Sequence, residues 1–160
     1  MLGERARILR ILSKELIKDP CWGPILKKFD ALSQLHLAIF NQPYLGFIAS
    51  GTKTVESRFS KNKIAPFDSV KKGDILLLKE SGKPITAICL VEKAWFYLLT
   101  PGTLETIQDE FTMAICPADN HFWEQRKECQ YCSLIWISNY KSVVEIAISK
   151  RDRRGWVILA

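Results

Sequence analysis

The chain lacks any apolar run of the ~18 to 20 residues that a membrane-spanning helix needs. Its opening residues, MLGERARILRILSKELIKD, carry charge throughout, so they lack the uninterrupted apolar stretch of a secretory leader. The expectation is therefore a cytoplasmic protein with no membrane partner. Histidine occurs only twice, at His36 and His121, and no serine or cysteine sits in a nucleophile context, which argues against a Ser-His-Asp type triad. The eight glycines are scattered and form no phosphate-cradling loop. There is no internal repeat and no low-complexity segment. The five cysteines are an odd number without a secretion signal, and they read as reduced thiols. Cys116, His121, Cys129 and Cys132 have ligand-type side chains. With a single C-x-x-C pair, and with Cys132 leading into an apolar strand, they read as packing residues rather than a zinc site. No metal and no cofactor are expected.

What the chain does have is positive charge, unevenly placed. Its 160 residues fit one domain, carry a net charge of +6 and are 48% hydrophobic. From Gly51 to Lys72, six bases face two acids, and the tail KRDRRG holds four bases against Asp152. Between them, from Gly73 to Ser149, ten acids outnumber six bases. Two basic segments far apart in sequence suit a polyanionic partner if they meet in space.

The first residues, to about Lys18, place Ile8, Leu9, Ile11, Leu12, Leu16 and Ile17 on one helical face. DPCWGP breaks that pattern, and a second helix is expected over Ile25 to Leu35. LHLAIF reads as a strand, NQPYLGFIASG as a helix stopped by Gly51, and TVESRFS as a strand. ILLLKE and ITAICLVEKAWFYL follow as strands. TLETIQDEF (capped by Thr103) and ADNHFWEQRK read as helices, with His121 a structural residue on the latter. YCSLIWI, VVEIAI and GWVIL read as three further strands. Strands outnumber helices, which predicts an α+β fold: a small mixed β-barrel with helical insertions, with residues 1–34 a helical extension packed on a domain spanning 35–160. The five tryptophans, Trp22, Trp95, Trp123, Trp136 and Trp156, are most simply core.

The stretch GTKTVESRF is the anomaly. Along a strand, Thr54, Glu56 and Arg58 share one face, with Lys53 at the turn before it. A carboxylate and a guanidinium are poor core material, because burying them unpaired costs several kcal/mol. They suit a cleft, where Arg58 offers a planar fork to phosphate. LAIFNQPYLGFIASGTKTVESRF resembles the ASCH domain family, whose strand and Gln-Pro-initiated helix precede Gly-x-Lys-x-x-Glu-x-Arg. Every fixed position is matched by Gly51, Lys53, Glu56 and Arg58, with Gln42 and Pro43 upstream. FWE at Phe122 to Glu124, the LIWI strand and the closing RRGW also look like bacterial members, and the likeness spans about Leu35 to Leu159.

That resemblance implies a PUA-like barrel with a cleft beside the motif, and RNA or a nucleotide-like small molecule as partner to a monomeric binding protein. Lys53, Arg58, Arg153 and Arg154 would contact phosphates, Glu56 would orient them or read a base amino group, and Gln42 would lie at the ligand. Tyr44, Trp95 or Phe96 would stack unpaired bases. The alternative it implies is a hydrolase in the same cleft, either a metal-independent single-strand ribonuclease or an amidohydrolase on a modified nucleoside such as acetylated cytidine. Lys53, Glu56 and Arg58, with Ser133 from the barrel layout, would then be catalytic. A nucleophilic or basic Lys53 needs a depressed pKa, which a close Glu56 would oppose. The amidohydrolase subgroup carries threonine where this chain has Glu56. A third reading is a protein-interaction adaptor built on the N-terminal helix.

Overall fold

A computed structural model describes residues 3–149 and 153–160. The elements run α1 (Glu4–Leu16), α2 (Trp22–Lys28), β1 (Leu35–Phe40), α3 (Tyr44–Ala49), β2 (Val55–Ser60), β3 (Ile75–Glu80), β4 (Ile85–Leu98), α4 (Pro101–Ile115), β5 (Tyr131–Ile146) and β6 (Trp156–Leu159). Six strands form one mixed sheet in the order β2-β5-β4-β3-β1-β6. The pair β1 and β3 is parallel, and the other pairs are antiparallel.

The sheet curls around an interior of Ala38, Phe40, Leu76, Leu78, Cys89, Val91, Ile135 and Trp156. On the outer face of β1, β3 and β4, residues Leu35, Leu37, Ile75, Leu77 and Ile88 meet Ile8, Leu12 and Leu16 of α1. Strands buried on both faces need continuous apolar runs, which is why LHLAIF and ILLLKE show no alternation. The spacing of four between Ile8, Leu12 and Leu16 is the helical stripe expected, and it is spent on the sheet. Deeper into the chain, Trp22 Nε1 donates to Asn139 O at 3.0 Å and Lys141 pairs with Asp19 at 3.2 Å, so the N-terminal helices are tied to β5. Val55, Ile107, Ile115, Phe122, Cys132 and Leu134 form a third cluster, beneath α4.

Several elements differ from expectation for local reasons. The expected mixed α+β barrel is present as a half-barrel, with β2 and β6 as the sheet's edges sharing no ladder. Helix α2 begins at Trp22, earlier than predicted, because Asp19 Oδ1 accepts from the Cys21 and Trp22 amides. Helix α4 is capped by Thr100, whose hydroxyl accepts from the Thr103 amide, with Pro101 in its first turn. The expected helix over ADNHFWEQRK is only a 3-10 turn at Glu124–Arg126. Asp119 Oδ1 captures the His121 amide, a local bond that competes with helix, and His121 lies exposed on this loop. The two runs YCSLIWI and VVEIAI are one strand, β5, which pairs with β2 in its first half and with β4 along its length.

His36 is fully buried, and its roles are fixed by its neighbours. Trp156 Nε1 donates to Nδ1 at 3.0 Å, so Nε2 carries the proton and donates to Asp74 Oδ2, also at 3.0 Å. Asp74 further accepts the Gln34 and Lys71 amides. This network holds β6 against β1 from inside the half-barrel.

Candidate functional site

Gly51, at φ +80°, makes the turn between α3 and β2 in a conformation that side-chain-bearing residues resist. That turn delivers Lys53 into the protein rather than into solvent. Its Nζ donates to Val55 O at 2.9 Å and to Ile115 O at 2.7 Å, and lies 3.4 Å from Glu56 Oε2. Ile115 ends α4, so the ammonium sits where that helix leaves unpaired carbonyls and partial negative charge. Burial pushes the Lys53 pKa down, and Glu56 pulls it partly back.

Glu56 is buried between two cations. Its Oε1 accepts from Arg58 Nε at 2.9 Å, while Oε2 has no hydrogen bond. Arg58 also donates through Nη2 to Ile39 O at 2.9 Å and through Nη1 to Gly155 O at 3.1 Å. Its guanidinium carbon lies 5.0 Å from the Phe40 ring centroid and 5.2 Å from that of Trp156. Arg58 therefore spans the gap between β2 and the β1/β6 edge, closing with a side chain what the backbone leaves open. A Cβ at position 155 would stand 3.0 Å from Arg58 Nη1, so glycine is what lets the chain come this close.

Beside these residues lies a cleft of about 410 Å³, lined among others by Asn41, Tyr44, Lys53, Glu56, Arg58, Phe59, Phe122 and Arg126. Tyr44 presents its ring 5.4 Å from Lys53 Nζ and accepts from the Ala118 amide through its hydroxyl. Arg126 is a functional candidate that the motif does not contain. Its guanidinium carbon lies 3.4 Å from the Phe122 ring centroid and 5.4 Å from that of Phe59. Nη1 donates to Phe122 O, and Nε is buried without a partner. Burial lowers its pKa as well. The available signal was a lone arginine just after an aromatic pair in an otherwise acidic stretch; the expected helix obscured it.

Of the residues predicted at the site, Tyr44, Lys53, Glu56 and Arg58 come together in the cleft, and six others (Gln42, Trp95, Phe96, Ser133, Arg153 and Arg154) do not line it. Trp95 packs edge-on to Phe111 of α4, in the cluster on the outer face, because the register puts it beside Leu134 rather than Ser133. Phe96 faces the interior and contacts Phe67. Ser133 is buried opposite Arg58 in the ladder and opens on a separate, smaller hollow with Pro66 and Trp156. Gln42 accepts the Gly46 amide through Oε1, serving the first turn of α3. Arg153 and Arg154 are exposed, and the chain just after them reaches Arg58 at Gly155. The described end of the second basic segment thus meets the first at that bond; Lys150, Arg151 and Asp152 lie outside the described residues.

Among the described residues, no three His, Cys, Asp or Glu side chains come together in a metal-binding group. Cys116, His121, Cys129 and Cys132 do not converge. Burial raises the Cys89 and Cys132 thiols to about 12, so neither forms thiolate near neutral pH. Maleimide treatment of the native protein at pH 7.5 should label exposed Cys21 and leave Cys89 and Cys132 unmodified until denaturant is added, as read by peptide mass spectrometry.

No family model matches the sequence, and no curated protein matches it. Solved structures do. The ASCH protein from Zymomonas mobilis superposes with a TM-score of 0.55 at 11% identity, covering 70% of this chain and 72% of that one. Two variants of that protein, one serine-to-alanine and one tyrosine-to-phenylalanine, give 0.54 at 11% identity and 0.53 at 12% identity. They cover 70% of this chain in each case, and 72% and 74% of their own. The chain has the ASCH fold, an α+β half-barrel whose α1 packs on the outside of the sheet and whose α3 packs against its interior.

Proposed function

We propose that the protein binds RNA, or a nucleotide-like ligand, in the cleft between β2, α3 and the loop preceding β5. One observation carries this reading: Arg126 Nε is buried without a hydrogen bond in a residue lining the same cleft as Glu56, whose Oε2 meets only the Lys53 ammonium, at 3.4 Å and without a hydrogen bond. An unmatched buried polar group costs about 1–3 kcal/mol. A ligand bearing an acceptor for the guanidinium removes this cost, and one that also bears a donor adds a hydrogen bond to the carboxylate; nucleotides offer such groups on phosphates and base edges. The partly buried rings of Tyr44 and Phe59 add apolar faces of the kind on which bases stack. Lys53, Arg58 and Arg126 outweigh Glu56, which favours an anion.

The arrangement favours binding over hydrolysis. A hydrolytic Lys53 needs a free lone pair, whereas its Nζ donates to two carbonyls and faces a carboxylate. The adaptor reading draws nothing from α1, whose apolar stripe is already covered.

The test incubates labelled single-stranded RNA with wild type and with Arg126→Gln at low salt in EDTA, and reads retention and fragment length from the same samples. Wild type should retain intact RNA, and Arg126→Gln should bind roughly tenfold more weakly, the size of one charge-assisted contact. Fragments produced by wild type would replace binding with the hydrolase reading. Equal retention by both proteins would move the ligand out of this cleft.

A further inference from the structure

Trp136, expected in the core, is 44% exposed. Its neighbours along β5, Leu134, Ile135 and Ile137, are all buried. Among the described residues its ring makes no aromatic contact and its indole nitrogen no hydrogen bond. In the sheet it lies between Val55 of β2 and Lys93 of β4. A surface hollow beside it is lined by Val70, Lys71, Lys72, Glu92, Lys93 and Trp136. Lys71, Lys72 and Lys93 are exposed, and among the described residues none of the three makes an ion pair. The acid of the group, Glu92, already accepts the Ser138 hydroxyl.

We infer that Trp136, with Lys71, Lys72 and Lys93, forms a second contact for single-stranded RNA, on which a base outside the cleft stacks. The inference rests on the reading of RNA as the ligand. An exposed indole sharing a hollow with Lys71, Lys72 and Lys93, the last with its ammonium over the Trp95 ring, matches a strand whose bases present π faces and whose backbone presents charge. A protein partner fits less well, because protein interfaces are depleted in lysine. Trp136 pairs with Val55, one residue before Glu56, and so faces the opposite side of the sheet from the Glu56 carboxylate; a strand that touches both passes round the start of β2, which is a sheet edge. A strand held at Glu56 and Arg126 would need a second hold only if it extends beyond the cleft. Length dependence is therefore the property to read.

The experiment measures fluorescence anisotropy of labelled RNA of three and of twelve nucleotides against wild type, Trp136→Ala, Lys71→Gln/Lys72→Gln and Arg126→Gln. For the longer RNA, Trp136→Ala should weaken binding roughly tenfold. The double lysine variant should flatten the slope of log affinity against log salt by about 1.4. Both should leave the three-nucleotide affinity unchanged, whereas Arg126→Gln weakens both lengths. If Trp136→Ala binds the longer RNA like wild type while Arg126→Gln does not, the second contact is wrong and the cleft reading stands. If wild type binds neither RNA, both fall. Trp136-dependent binding of polyglutamate without RNA binding would overturn RNA as the occupant in favour of an acidic protein.

Discussion

Arg58→Ala should lose about 3–5 kcal/mol of stability, the cost of breaking a buried ion pair from one side. Three fixed bonds disappear together: to Glu56 Oε1, Ile39 O and Gly155 O. The two carbonyls lie on segments with no backbone ladder to β2, so these side-chain bonds link parts of the sheet that its strand pairing leaves unjoined. The Phe40 and Trp156 rings lose the guanidinium between them as well. Arg58→Lys keeps the charge but offers a compact ammonium in place of a flat fork with divergent donors, and it should recover less than half of the loss. Urea denaturation of the three proteins checks this. A midpoint for Arg58→Ala that matches wild type would show that the half-barrel does not depend on its side-chain bridge.

Lys53→Met should cost about 3 kcal/mol, and the reason is architectural rather than catalytic. The variant leaves the Ile115 and Val55 carbonyls without their buried donor, and Glu56 with Arg58 as its remaining cation. The end of α4 should loosen first, visible as faster amide exchange near Cys116. pH gives a second readout. Burial lowers the folded Lys53 pKa below its usual 10.5, so as pH rises the folded protein releases this proton before the unfolded chain does. Between the lowered value and 10.5 the unfolded state holds more protons, and wild-type stability rises with pH through that window. The Met variant lacks this rise, and its deficit should widen toward alkaline pH. A deficit independent of pH would mean that Lys53 titrates alike in both states. Because Lys53 carries structure, an inactive Lys53 variant would say little about chemistry, and Arg126 is the better probe of the cleft.

The β2 segment was legible because its charges break the rules of burial. Glu56 and Arg58 on one face of a strand, after a glycine turn and a lysine, required a partner or a cleft, and both are present. What Arg58 does was not legible. Its two carbonyl acceptors lie at Ile39 and Gly155, and nothing local announces a bond spanning 97 positions. Trp95 and Ser133 were misplaced for a related reason. Strand alternation gives which residues share a face, but the inward face depends on register, and the bulges between Val91 and Lys93 and between Ile88 and Leu90 reset it. Arg126 was missed because one Asp119 bond turned an apparent helix into a loop that folds over the cleft.

The pairing of β6 with β1 has a consequence for the order of events during synthesis. His36 and Trp156 are 120 residues apart, and Arg58 and Gly155 are 97 apart. Until the β6 segment leaves the ribosome, the buried imidazole has no indole donor and Arg58 lacks its Gly155 acceptor. Contacts this distant close late and slow folding, since the entropy of the intervening loop is lost before they form. A nascent chain halted before Gly155 should thus leave β1 with an open edge, the kind of surface that chaperones cover and that pairs with other chains. The bridge from Arg58 to Gly155 would then close abruptly with β6, rather than growing as the sheet lengthens.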